Sequence, residues 1–249
     1  MQHRKLRQAR LQFNVVHGHR ILRVAYRRQG ILVAVQWHCA AQLAVLHDPQ
    51  SKHGEQLALE VLAQAPDSER ALLALLEHQL ALRQFKPLTE SMERLTQSAA
   101  LSAAGHTALA NSQISVARLH DSGVQSVAAV DAAALRASAR QHLQRAMALD
   151  ALHPLPVYAL GWLLASQGDV VAVREFAPTA ERLYYQQPYS EDLANLLIRL
   201  HALAGDTDAE FKFAVVARRL ASNSQDQFLA QRRIDRLRPA AKAMPELKP

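Results

Sequence analysis

Twelve histidines and one cysteine are the material from which a metal site or an activated nucleophile would have to be built in this chain. His17 and His19 stand two apart in an Arg-rich stretch, and on a helix that spacing sends the two rings to different sides. His38 and Cys39 are adjacent within the apolar run ILVAVQWHCAAQLAVL, so their side chains diverge, and the thiol reads as a small buried apolar group. There is no glycine-rich phosphate loop and no nucleophile elbow. The acidic residues of the middle are spread over several turns and read as solvated helix faces. The expectation is a protein that is not an enzyme, with no catalytic, cofactor-binding or metal-binding residues. A single cysteine excludes an internal disulfide and a Cys-rich zinc site, which fits a reducing compartment. The cytoplasm is therefore the expected location, with membrane association or export as the alternatives.

Eight Gly, 10 Pro and 49% apolar residues in 249 indicate an ordered chain, and abundant alanine with few β-branched residues favours closely packed helices. The formal charge of +7 is unevenly spread. Residues 1–47 carry eight Lys/Arg and no acid; residues 212–249 carry nine basic residues against three acidic. Between them, residues 48–211 hold twelve basic and nineteen acidic residues, so basic ends flank an acidic body.

Three regions follow from this pattern. Residues 1–30 form a basic segment, expected to be solvated and poorly ordered; contact with an anionic surface or nucleic acid, a targeting segment and a mis-assigned start are the other readings. Residues 31–238 form the helical domain, and 239–249 a frayed tail. The run 31–46 is sixteen residues long, short of the roughly 20 that cross a bilayer, and is expected to be the first helix of the domain. An export signal or membrane anchor is its alternative. Asp67/Ser68 cap a helix over ERALLALLEHQLA, and Pro87 suits the first turn of the next. Residues 101–119 and 132–150 are two more helices, separated by the insertion HDSGVQSVAAVD. QFLAQRRIDRLRP is a terminal amphipathic helix with a basic face, suited to covering the last apolar surface of a stack.

The most regular stretch is 139–187. A helix ends before Pro154 and Pro156, and a second carries Val157, Leu160, Gly161 and Leu164 at spacings of three and four. It stops at Gly168-Asp169, where Gly can adopt the left-handed stop and Asp can cap the next helix. The same pair returns as Gly205-Asp206, 37 residues later. Val157, Leu160, Gly161, Leu164, Gly168, Asp169, Val173, Ala177 and Ala180 fall on the pattern of the tetratricopeptide repeat (TPR), which this chain resembles most clearly over residues 132–221. Ala194, Leu197, Gly205, Asp206, Ala214 and Ala217 follow it more loosely, with Ile198 where a small residue is expected. Arg83-Gln84 takes the place of Gly-Asp in an earlier hairpin.

The resemblance implies an all-α, right-handed α-solenoid of about four antiparallel helical hairpins plus a terminal helix. It also implies that positions one and five after each leading apolar residue face a concave groove. These are Thr107 and Asn111, Tyr158 and Trp162, and Asn195 and Arg199, with Leu73 and Glu77 from the unit before. Trp162 has a competing reading as core between units. Some TPR proteins grip a C-terminal carboxylate with Lys, Asn and Arg; here only Asn195 and Arg199 match, and the lysines are missing. The function implied is a non-catalytic scaffold or adaptor holding a peptide or protein segment in the groove. The alternatives are an RNA- or anionic-membrane-binding repeat protein that uses its basic ends, and a helical regulatory subunit of a larger enzyme. Nucleic acid is not the expected partner, because aromatics make up only 5% of residues and the body is acidic. The Tyr184-Tyr185 and Tyr189 group is either an interface patch or packing between units.

Overall fold

Each Ser or Asp placed just before an apolar-periodic run does the same local job in a computed structural model of the chain. Its side-chain oxygen accepts the backbone N–H three residues on, filling one of the donors that a helix start leaves open. Ser68 does this for Ala71, Ser102 for Gly105, Asp131 for Ala134, Asp169 for Ala172, Ser190 for Leu193 and Asp206 for Ala209. The structure describes residues 52–241 except 99, 125–126, 128–129, 152 and 188–189. The expectations for 1–30, for 31–46 and for Tyr189 lie outside the described residues, as does most of the tail.

Helices are the regular elements among the described residues: α1 (Lys52–Gln64), α2 (Glu69–Ala81), α3 (Phe85–Gln97), α4 (Ala103–Asp121), α5 (Ala132–Leu149), α6 (Pro154–Gln167), α7 (Val170–Gln186), α8 (Glu191–Ala204), α9 (Thr207–Leu220) and α10 (Ser224–Ala241). None is long and apolar enough to cross a membrane. The chain divides into two compact units, one ending at Leu101 and the other beginning at Ser102.

In the first unit α2 packs on both α1 and α3. Leu57, Val61 and Leu62 of α1, Leu72, Leu75 and Leu76 of α2, and Leu88, Met92 and Leu95 of α3 are buried. The α2–α3 turn is built without glycine. Arg83 adopts φ 56°, and the N–H of Gln84 donates to the Gln79 carbonyl at 2.8 Å. Arginine thus takes the left-handed stop that glycine provides elsewhere, at a strain of roughly 1 kcal/mol.

The second unit repeats the hairpin as α4–α5, α6–α7 and α8–α9, with α10 laid on α9. One continuous core runs from Ala110 and Ile114 of α4 to Ile234 of α10. Gly168 and Gly205 end α6 and α8 at φ 67° and 78°, with nothing near the position a Cβ would occupy, so they are there for the turn alone. Gly161 is different. A Cβ at this position would lie 2.8 Å and 3.0 Å from the two methyls of Leu196 and 3.1 Å from Phe176. The absent side chain is what lets α6 seat against α8 and α7. Arg174 of α7 closes the far end of α8, donating from Nε and Nη2 to the Ala204 carbonyl at 3.1 and 2.9 Å.

Two histidines are also buried in this unit, each beside a less buried polar partner. His201 stacks on Phe213 with rings 9° from parallel, its Nε2 3.0 Å from Glu181 and its Nδ1 3.6 Å from Asp206. His142 is buried with its Nδ1 2.9 Å from that of His106. Burial pushes the His142 imidazole below the ordinary 6.5, and the nearby His106 and Arg145 push the same way. The folded chain therefore takes up that proton later than the unfolded one. The associated stability is present above about pH 6.5 and drains away as pH falls toward the folded value.

Two outcomes are expected. Gly161→Ala gains up to about 1 kcal/mol of helix propensity but overpacks a fixed Leu196, for a net loss of roughly 1 kcal/mol. In a denaturation cycle with Leu196→Val the two changes should be coupled by at least about 0.5 kcal/mol, whereas Gly168→Ala and Leu196→Val should simply add. Second, the urea midpoint of the wild type should fall more steeply between about pH 7.5 and 5 than that of His142→Gln. Parallel slopes would remove His142 from the account.

Candidate functional site

Successive helices of the second unit reverse direction, so α6, α8 and α10 run the same way. The hydrogen bond between the Tyr158 and Ser190 hydroxyls joins α6 to α8 near both N-terminal ends. Arg218 pairs with Gln231, and Glu210 with Arg233, so α9 and α10 lie antiparallel. The three parallel helices, with the end of α9, enclose a cleft of about 700 Å³.

Four of the eight groove positions expected from the sequence line this cleft together: Tyr158 and Trp162 from α6, Asn195 and Arg199 from α8. Each pair is four residues apart and so shares a helix face. Trp162 is 41% exposed, set beside Leu155 at 56% and Leu229 at 54%. Tyr158 is half-buried, and burial raises its phenol above the ordinary 10 despite the bond to Ser190. Asn195 and Arg199 are exposed, and neither side chain has an ion pair or hydrogen bond among the described residues.

Thr107 and Asn111 do not line the cleft. Thr107 is buried and its hydroxyl donates at 2.7 Å to the Ala103 carbonyl of its own helix, so its position is a correction to the groove expectation. Asn111 is exposed on α4. In the first unit, Leu73 is buried in the core and Glu77 is exposed.

Sequence reasoning missed the α10 wall. Asp226, Leu229, Ala230 and Arg233 recur at spacings of three and four and line the cleft from one helix face. That periodicity was available, but a terminal helix reads as a cover rather than as a wall. Glu191 and Asp192 were also missed, although Glu191, Asn195 and Arg199 form a run at i, i+4 and i+8.

Charge is ordered along the cleft. Glu191, Asp192 and Asp226 lie at the N-terminal ends of α8 and α10, and Arg199 and Arg233 lie further along the same helices. Asp226 is partly engaged: its carboxylate accepts from Asn223 Nδ2, and its backbone N–H donates to Asn223 Oδ1 at 2.9 Å. Arg233 is committed to the fold: its Nε donates at 2.7 Å to Glu210 Oε1, which Arg236 also reaches at 3.1 Å. Glu210 is buried, so this carboxylate fastens α10 to α9. Arg199 has no such duty.

Elsewhere, Tyr184 is buried edge-on against Phe213, with ring centroids 5.4 Å apart, so it packs α7 on α9. Tyr185 is exposed and accepts a hydrogen bond from Lys212 Nζ at 2.6 Å, which raises the lysine pKa. Among the described residues no group of three or more His, Cys, Asp or Glu could hold a metal ion.

The clasp can be tested directly. Arg233→Ala leaves a buried carboxylate with one, largely exposed, partner and should lower stability by roughly 2 kcal/mol, with faster amide exchange in α10. Arg236→Ala, whose side chain is 66% exposed, should cost less than about 1 kcal/mol.

No protein-family profile matches this sequence, and no curated protein is significantly similar to it. Solved structures share its fold. YrrB, a TPR protein with an unusual peptide-binding site, is similar at a TM-score of 0.59 and 13% identity, over 85% of this chain and 97% of that one. TTC0263, a thermophilic TPR protein in Thermus thermophilus, gives 0.54 and 15% over 83% and 99%. PilW, a widely conserved type IV pilus biogenesis factor, gives 0.60 and 17% over 85% and 88%. The chain has the all-α helical-repeat fold of TPR proteins.

Proposed function

We propose that this protein is a non-catalytic interaction scaffold that holds a segment of a partner protein in the cleft between α6, α8 and α10. The observation carrying this reading is the company Trp162 keeps. An exposed indole, two exposed leucines and the unengaged side chains of Asn195 and Arg199 line one concavity. An apolar platform beside a few polar groups is the composition of a recognition site. Asn can donate to and accept from a peptide backbone, and Arg can grip a carboxylate with two parallel bonds. That YrrB, of the same fold, has a peptide-binding site supports the reading.

The test is affinity capture on the purified chain, comparing wild type, Trp162→Ala/Arg199→Glu, and a deletion of residues 1–30, each at low and high salt. A protein partner lost in the double variant and kept by the deletion is the expected result. Binding that survives the double variant but vanishes with the deletion or with salt would move the working surface to the basic ends. A phosphate-rich ligand would weaken by about 0.7 to 0.9 log units per log unit of salt for each phosphate neutralised.

A further inference from the structure

We infer that the cleft selects an extended partner segment by charge order: a cationic side chain, an apolar one two residues on, and an anionic one two residues further. This rests on the reading of the cleft as a peptide site. Glu191, Asn195 and Arg199 are spaced by four on one face of α8, so the acid and the guanidinium are separated by about 12 Å along the axis. An extended chain advances about 3.3 Å per residue and sends alternate side chains to the same side. Residues i and i+4 of such a segment therefore face α8 together, about 13 Å apart, with i+2 between them. The cation at i meets Glu191 and Asp192, and Asp226 lies on the opposing wall. The apolar residue at i+2 falls level with Asn195, opposite Trp162 and Leu229, while Asn195 is free to bond the backbone. The anion at i+4 meets Arg199.

The charges are not equivalent in what else they do. Arg233 is neutralised by Glu210, so Arg199 is the cation of the cleft without a structural partner among the described residues. Neither Glu191 nor Asp192 has an ion pair among them either. The cleft therefore carries one unpartnered guanidinium further along α8 and, toward the helix starts, the carboxylates of Glu191 and Asp192 with Asp226, which already accepts from Asn223 Nδ2. The complementary segment is bipolar with its cationic end the more strongly held. A segment carrying only acidic groups, such as a phosphate-rich or polyacidic tail, meets repulsion from the carboxylates.

The test uses the full chain and end-blocked, fluorescently labelled heptapeptides carrying lysine, leucine and glutamate at positions two, four and six. Comparison peptides carry two lysines, two glutamates, or the same charges one residue closer. Fluorescence polarisation should give the lysine–leucine–glutamate peptide about tenfold tighter binding than the doubly acidic and shortened ones. Arg199→Glu, a change at an exposed side chain, should reverse the order so that the doubly basic peptide binds best. If all peptides bind alike and Trp162→Ala abolishes them all, the charge order is wrong and the peptide cleft stands. If none binds, the charge-order proposal falls; if they bind and neither Trp162→Ala nor Arg199→Glu changes any affinity, both readings fall. Self-association by sedimentation that Arg199→Glu disrupts, without peptide binding, would make a second copy the occupant and overturn the proposal.

Discussion

The close approach at Gly161 is the constraint on which the second unit depends. With no Cβ at that position, Leu196 drives its methyls into the space between α6 and Phe176, and the spacing of α6 and α8 is fixed by contact rather than by a filler side chain. The Tyr158–Ser190 bond then sets how far one helix slides along the other. Adjacent residues on a helix diverge by about 100°. If Gly161 and Leu196 face each other, their neighbours Trp162 and Asn195 are turned away from that contact, and both lie on the cleft. The packing that builds the core thereby aims the groove.

The second wall depends on a different kind of interaction. Among its described side chains α10 buries a narrow apolar seam, Ile234 and Leu237. A helix with so little apolar contact is held weakly by area alone. Polar ties add to it: two guanidiniums from α10 converge on the buried Glu210 carboxylate, and Arg218 donates to Gln231 at 2.6 Å. Arginine suits this site because its planar fork reaches the carboxylate while its stem covers apolar surface. The basic face of α10, which from the sequence alone looks like a surface for anions, is in part spent inside the protein.

How much of this was legible follows from how local each determinant is. The caps and the two Gly-Asp turns need only a few residues to specify them, and they fold as their types dictate. The repeat offset in α6, and the looser match in α8, is what put Tyr158, Trp162, Asn195 and Arg199 on the faces that line the cleft. In α4 the same offset lands on buried Thr107, because that hairpin has departed from the repeat: α4 is a 19-residue helix followed by an insertion. The Arg83 stop was marked only by its place in the pattern, since nothing in arginine itself favours positive φ. The α10 wall and the Glu210 clasp were illegible for another reason. They are contacts between helices, and charge patterning along one helix does not say whether its arginines meet water or a buried acid.

The cleft's size limits what it can hold and where affinity can come from. At about 700 Å³ it has the size of a ligand-scale cleft and suits a short segment rather than a folded domain. A segment that orders on binding loses several kcal/mol of chain entropy, so a small contact is useful only if the receptor is already in place. Here the walls are preset by a fixed close contact on one side and a buried ion cluster on the other. The charges at the rim of such a site add little to raw affinity, being screened and solvated, but they penalise wrong arrangements. In the proposed reading, a rigid apolar centre with ordered charges around it is therefore suited to discriminating among segments rather than to binding any one of them tightly.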